Sequence, residues 1–419
     1  MRRAARLLAA LAAGWFAQPA GSQVPPADYR LPALSLPDPG GPHPIGTTGF
    51  EVDQPNGPPL QVVAWYPAAA SGPPAPYLDA GEQRVQKPAI ARNFRWPAAM
   101  LDAVAVGPTH ASPAAPVARG RFPLLIFSHG YFLYPRQNSA LMEHLASRGY
   151  IVLSLAHPGD AADLPGAAGP IATDPADLWK GVDGAKLAAL WFAADDRAAK
   201  AALPGFFAAQ RDGRMLRSLT RWRTDIRALT DTALARRFPA PALTLAHAID
   251  RKRIAYGGMS FGGSASVSAC QLDSRCRAAV NLDGFEFDET LYDHAVRMPL
   301  LLVQSDWRAF PNLGAPGAGF THYDYAYEPW AIAGTAKTVY RFSLKGVTHF
   351  GLTDLALTPP DPVRDRLFGP APGTAVVSAI DDLVTAFLDR HLADRPADLD
   401  AAASRHPLVE RRHASIPRP

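Results

Sequence analysis

The sequence predicts an α/β fold: a mostly parallel central sheet flanked by helices, with a helical insertion before one of its central strands. Three observations carry this. Apolar runs with no alternation recur at 122–127, 150–156, 254–258, 278–282 and 299–304, as expected of strands covered on both faces. Stretches of helical spacing separate several of them. Nearly a hundred residues, 157–253, interrupt the alternation without a strong strand. The chain has 419 residues, 48% apolar and 19% charged, enough to bury a large core and too apolar for a disordered chain. Proline, at 42 residues, is about twice its average usage, which implies many rigid loops between short elements.

The amino end begins with the basic Met1-Arg2-Arg3-Ala4-Ala5-Arg6, continues through apolar Leu7 to Ala17 and ends in small residues up to Ser22. This order predicts a cleavable secretory signal peptide over 1–22, too short to span a bilayer. It carries three arginines and no acid, leaving 39 basic against 38 acidic residues in the remainder. No basic face is left to argue for nucleic acid, and no later run of about 18 apolar residues predicts a membrane span. The expected location is secreted or periplasmic. In such a compartment Cys270 and Cys276 form a local disulfide or remain two free thiols; spacing alone does not decide.

Residues 23–44 are proline-rich and read as an extended lead-in. Phe50–Val52 and Leu60–Tyr66 predict two strands joined by a Gln54-Pro55-Asn56-Gly57-Pro58-Pro59 turn. No element is assigned within 67–120. Phe122–Phe127 is a buried strand ending in Ser128-His129-Gly130, 138–148 a helix stopped by Gly149, and Tyr150–Ala156 the next strand. Helical segments follow near 176–202 and 214–237. The later one presents Leu219, Trp222, Ile226, Leu229 and Leu234 to the sheet. The earlier part, with Trp179, Trp191, Phe192, Phe206 and Phe207, reads as an insertion or lid over 158–213. Strands at 254–258, 278–282, 299–304 and 338–344 alternate with helices at 262–272 and 375–392, closing a domain of 45–392. The residues from 393 to 419 read as a polar tail.

Gly258-Met259-Ser260-Phe261-Gly262 fits G-x-S-x-G between an apolar strand and a helix of small residues, the context that gives the motif mechanical meaning. A serine hydroxyl needs a histidine to take its proton and a carboxylate to orient that histidine. Of twelve histidines, His349 alone follows a late strand in a compact turn, G-V-T-H-F-G. Two acids end the strands after the serine: Asp283 in A-V-N-L-D-G and Asp306 in L-L-L-V-Q-S-D-W. Both lie where an open α/β sheet places its site, and the residues alone do not rank them. Two backbone amides are needed to bind an oxyanion; Phe261, after the serine, supplies one and Tyr131, after Ser128-His129-Gly130, the other. His129 itself reads as structural.

F-S-H-G-Y at 127–131, H-L-A-S-R-G-Y-I-V at 144–152, G-M-S-F-G-G at 258–263, N-L-D-G at 281–284 and G-V-T-H-F-G-L-T-D at 346–354 together resemble the plasma and type II platelet-activating factor acetylhydrolase family. They are also similar to bacterial proteins labelled predicted dienelactone hydrolases. The resemblance implies an α/β-hydrolase fold over about 45–392, with Ser260 as nucleophile, Asp283 as acid and His349 as base. It further implies Tyr131 and Phe261 as oxyanion donors, and a reserve acid at Asp306. The family elbow commonly has histidine where this chain has Met259, 157–213 has no clear counterpart, and true dienelactone hydrolases use cysteine. The implied activity is that of a serine esterase on short or oxidised acyl esters of lipids or similar amphiphiles, like 1-alkyl-2-acetylglycerophosphocholine esterase. It would need no metal or organic cofactor and would touch lipid aggregates peripherally. Two alternatives stand beside it: a cutinase-like polyester hydrolase, whose acid lies one strand later at Asp306, and an inactive binding protein on a hydrolase scaffold.

Overall fold

Ten strands hydrogen-bond into one sheet in the computed structural model, which describes residues 24–54, 57–166, 169–173, 183–191, 196–211, 213–307, 309, 326–332 and 334–412. The expected signal peptide lies outside these residues, as do Trp179, Phe192 and the side chain of Trp191. The strands in chain order are β1 (Ile45–Val52), β2 (Leu60–Pro67), β3 (Ser112–Pro113), β4 (Phe122–Ser128), β5 (Ile151–Ala156), β6 (Ile249–Met259), β7 (Cys276–Leu282), β8 (Leu300–Gln304), β9 (Val339–Leu344) and β10 (Val409–Arg411). Their spatial order is β10-β9-β8-β7-β6-β4-β5-β2-β1-β3. From β5 to β9 every pairing is parallel, while β2 joins β5, and β10 joins β9, antiparallel. All carboxyl ends of the parallel strands therefore fall on one edge, where the site is built.

Helices α1 (Ala80–Phe94), α2 (Asp102–Val106), α3 (Ser139–Ser147), α4 (Gly184–Trp191), α5 (Asp196–Gln210), α6 (Arg214–Leu234), α7 (Leu243–Ala248), α8 (Phe261–Leu272), α9 (Pro362–Phe368), α10 (Gly373–His391) and α11 (Leu399–Ser404) complete the chain. α8 lies on β4, β6 and β7 with α6 packed on it; α3 and α10 pack on each other and on β2, β5, β7 and β8. Strand residues between these layers, such as Leu124, Ile126, Leu153, Ile254 and Val280, are buried, which is why their sequences run apolar without alternation. In α6, Leu219, Trp222, Ile226 and Leu229 recur every three to four residues and are all buried, so burial of one stripe holds the helix on α8.

Three stretches differ from expectation. Residues 67–120, whose sequence predicts no element, contain α1, α2 and β3. The start of α1 is a reciprocal cap: the Glu82 amide donates to Asp79 Oδ1 at 2.9 Å and the Asp79 amide to Glu82 Oε2 at 2.7 Å. The expected polar tail is structured up to Arg412. α11 buries Leu399 and Ala402, and β10 pairs with the outer edge of β9, satisfying backbone groups that an open edge would leave bare. Residues 362–391 are long and apolar enough, by length and composition alone, to cross a membrane. They fold as α9 and α10, and α10 buries Val376, Ile380, Leu383, Val384 and Phe387. Among its described residues the proline-rich lead-in has no helix or strand before Ile45, yet Leu31, Leu34 and Leu36 are buried in the core. The carboxyl end of the insertion is docked as well: Phe206 packs on Phe285 at 5.7 Å and Phe207 on Tyr292 at 5.1 Å between ring centroids.

Cys270 and Cys276 are disulfide-bonded, tying the end of α8 to the start of β7. Replacing both by alanine relaxes a short loop in the unfolded chain, for an expected loss of about 2 kcal/mol. Urea unfolding of the double variant checks this: the midpoint should fall, and an unchanged midpoint would count against a stabilising bridge.

Candidate active site

The site begins where β6 turns into α8. Ser260, between them, adopts φ 55° and ψ −130°, a left-handed conformation that costs a non-glycine residue about 1–3 kcal/mol. The Ser260 amide donates to Leu282 O at 2.8 Å, and Ser260 O accepts from the amides of Gly263 and Ser264 at 2.9 and 3.3 Å, so neighbouring structure holds the strain in place. Two glycines are required by proximity. A Cβ at Gly258 would stand 2.4 Å from the Gly262 carbonyl, and one at Gly262 would stand 2.2 Å from Ser128 O. The turn is therefore pressed against the end of β4, which brings the Ser128–Tyr131 loop beside the serine.

His349 stands in the turn after β9, with Nε2 2.9 Å from Ser260 Oγ and Nδ1 2.7 Å from Asp283 Oδ2. With the Nδ1 proton donated to the carboxylate, Nε2 presents its lone pair to the serine hydroxyl. Asp283 follows β7, at φ 57°. Its carboxylate also accepts from the Ser305 amide at 3.0 Å, Ser305 Oγ at 2.6 Å and Trp307 Nε1 at 2.7 Å. Burial pushes the Asp283 carboxyl up, but the donors from His349, Ser305 and Trp307 outweigh it and hold the group below its ordinary value. It remains charged at neutral pH. Asp283 is 2% exposed, whereas Ser260 and His349 are only partly buried: the serine–histidine edge meets solvent and the carboxylate does not.

Asp306, the reserve acid, is placed elsewhere. Its Oδ2 accepts from the Gly346 amide at 2.9 Å and its Oδ1 from the Ala309 amide at 3.2 Å, so it caps the turn that leads to His349. The residues missed by sequence reading are those around the acid. Ser305 and Trp307 flank Asp306 in the string that drew attention to it. Asn281 folds the Asp283 turn, its Oδ1 accepting from the Gly284 amide at 2.6 Å and its Nδ2 donating to Gly284 O at 2.9 Å; it stands in the quoted N-L-D-G.

Tyr131 and Phe261 face each other, ring centroids 5.0 Å apart. Among the described residues neither backbone amide donates to a protein acceptor, and Phe261 opens α8, where no intrahelical acceptor exists. These two N–H groups are free for a developing oxyanion. Below them His129 Nδ1 donates to Gly130 O at 2.7 Å, and its Nε2 accepts from the His157 amide at 3.1 Å. Burial pushes the His129 imidazole down to about 3, leaving it neutral, in keeping with a structural role.

A second serine, histidine and aspartate meet beneath this loop: His157 lies 3.1 Å from Ser128 Oγ and 2.8 Å from Asp225 Oδ2. Burial pushes the His157 imidazole well down and the Asp225 carboxyl up to about 7. All three side chains are buried and His157 stacks on Trp222 at 3.7 Å, so no substrate reaches this hydroxyl. Among the described residues no cluster of three or more His, Cys, Asp or Glu is arranged to hold a metal ion.

Residues 223–398 match the family model described as platelet-activating factor acetylhydrolase, isoform II, and residues 96–157 match the chlorophyllase model. The first stretch contains Ser260, Asp283 and His349; the second contains Tyr131. Among solved structures, a ferulic acid esterase from Streptomyces cinnamoneus shares the fold with a TM-score of 0.65 and 24% identity, over 91% of this chain and 99% of that one. No curated protein sequence matches the chain. The fold is that of the α/β hydrolases.

The two aspartates make a discriminating pair. Asp283→Asn should lower kcat by about 10⁴-fold by favouring the wrong histidine tautomer. Asp306→Asn should leave kcat within a few-fold and cost about 1 kcal/mol of stability through one lost acceptor. Steady-state kinetics and urea unfolding of both variants check this; equal losses of kcat would contradict the assignment.

Proposed function

We propose that this chain is an exported serine carboxylic-ester hydrolase acting on short or oxidised acyl esters of lipids or similar amphiphiles. The observation that carries the reading is the continuous hydrogen-bonded line from Ser260 Oγ through His349 to Asp283, set beside two unengaged amides. Ser260 Oγ attacks the ester carbonyl as His349 Nε2 takes its proton, and the carbonyl oxygen becomes an oxyanion held by the Tyr131 and Phe261 amides. His349 then gives the proton to the leaving alcohol. Water, activated by the same nitrogen, attacks the acyl-serine and frees the acid and the enzyme. Asp283 keeps its charge throughout and stabilises the imidazolium of each step.

Packing beside the nucleophile supports a small acyl group. Phe261 contacts Phe287, Phe287 contacts Phe285 and Phe285 contacts Phe206, with centroids 5.2–5.7 Å apart and every ring buried. The match to the acetylhydrolase model agrees with this choice. Export is supported by the ordered features of residues 1–22 and by the Cys270–Cys276 bridge, which belongs to an oxidising compartment.

A second reading, an aromatic acyl ester like that named for the solved esterase, is favoured by the cluster beside the base. Phe350 lies 5.8 Å from the His349 ring and contacts Phe94 at 5.1 Å and Trp96 at 5.7 Å. Turnover of p-nitrophenyl acetate, butyrate and octanoate and of methyl ferulate separates the readings. Activity should fall steeply beyond short chains and should be abolished by Ser260→Ala with the fold intact. A preference for methyl ferulate would favour the aromatic reading, and unchanged turnover in Ser260→Ala would remove the nucleophile.

A further inference from the structure

The loop that carries the Tyr131 amide and the turn that carries His349 come from opposite halves of the chain, and one line of side chains joins them. The Gly130 amide donates to Gln137 Oε1 at 2.9 Å, Gln137 Nε2 donates to Asn138 Oδ1 at 2.9 Å, and Asn138 Nδ2 donates to Leu352 O at 2.7 Å. Backbone groups at its two ends fix its direction. A peptide N–H at Gly130 demands the oxygen of Gln137, and a carbonyl at Leu352 demands the nitrogen of Asn138, so the remaining oxygen and nitrogen must face each other. Gln137 is fully buried and Asn138 is 4% exposed, where an unmade bond carries its full desolvation cost.

Asn138 departs from what its position prescribes. It is the residue before the first turn of α3, where an asparagine ordinarily caps its own helix, yet its side chain makes no such bond and reaches across 214 residues of sequence instead. The missing cap comes from the histidine turn: Asp354 Oδ1 accepts from the Ala140 amide at 3.3 Å. The Asp354 amide also donates to Gln137 O at 2.9 Å. The two segments thus exchange caps, α3 being finished by the histidine turn and that turn being held by the residues ahead of α3.

We propose that Gln137 and Asn138 are positioning residues that lock the oxyanion loop to the histidine turn, so that the Tyr131 amide and His349 Nε2 are held in register about one substrate carbonyl. The inference rests on the serine hydrolase reading above. Both groups act in the same transition state, where misplacement by a fraction of an ångström is costly. The relay makes their spacing a property of one buried strut in place of two independent loops.

Kinetics of variants in the full chain test it. Gln137→Leu should lower kcat for p-nitrophenyl butyrate by about 10–100-fold with KM within about twofold, the pattern of an interaction expressed in the transition state. Gln137→Glu adds a readout that packing alone does not move. Its uncharged carboxyl keeps one acceptor for Gly130 and one O–H for Asn138, whereas the carboxylate has no proton to give. Burial brings such a group into the assay range, so the ratio of variant to parent kcat should fall as pH rises from about 6 to 9. Combining Gln137→Leu with Asn138→Leu should cost no more than the worse single change, because either one breaks the strut. A Gln137→Leu variant that melts like the parent and keeps kcat within twofold, a pH-independent Gln137→Glu ratio, or additive losses in the double variant would each overturn the relay. Full turnover in Ser260→Ala would instead remove the reading on which it rests.

Discussion

The constraint on which the rest of the site depends is the close backbone approach between the turn after β6 and the end of β4. Gly262 lies so near Ser128 O, and Gly258 so near the Gly262 carbonyl, that no side-chain carbon fits at either place. Ser260 consequently takes a backbone conformation that a lone serine would avoid, and its hydroxyl is lifted off the sheet edge toward His349. The same contact sets the loop bearing the Tyr131 amide next to the start of α8. The Ser260 hydroxyl and the two unengaged amides are thus placed by one steric fact, and the parallel sheet supplies the edge on which Asp283 and His349 join them.

Burial divides the labour among residues of similar chemistry. Asp283 is sealed beneath His349, where hydrogen bonds donated by His349, Ser305 and Trp307 keep it charged against the cost of its surroundings. Ser260 and His349 retain access to solvent. Ser128, His157 and Asp225 repeat the same three residue types with comparable distances, but their burial makes them a brace under the Ser128–Tyr131 loop. The serine, histidine and aspartate distances are thus shared by both clusters, while the strained turn and the partly exposed edge belong to the Ser260 cluster.

Much of the fold was legible because its central strands are covered on both faces and read as unbroken apolar runs, and because α6 shows its buried stripe every three to four residues. The edges were not. α1 mixes Arg84, Lys87, Arg92 and Asn93 with a proline at 88, which dilutes its apolar spacing, although its Asp79–Glu82 cap was written in the sequence. β3 and β10 are two and three residues long, and their existence depends on a neighbouring edge rather than on their own composition. Ser260 and His349 could be singled out by motif and chain order. The acid could not be ranked from residues, since Asp283 and Asp306 both end parallel strands; only the direction each carboxylate faces, one toward an imidazole and the other toward the Gly346 amide, separates them. The relay through Gln137 and Asn138 was invisible for a related reason: its two ends, Gly130 and Leu352, lie more than two hundred positions apart.

The measurement that bears most directly on the account is reaction of the purified chain with a fluorophosphonate, followed by peptide mapping of the adduct. The geometry predicts one modified residue, Ser260, because among the described residues only there does a hydroxyl sit on a strained turn against an oriented histidine and two unengaged amides. Absence of an adduct, or an adduct at Ser128 or any other serine, would contradict it.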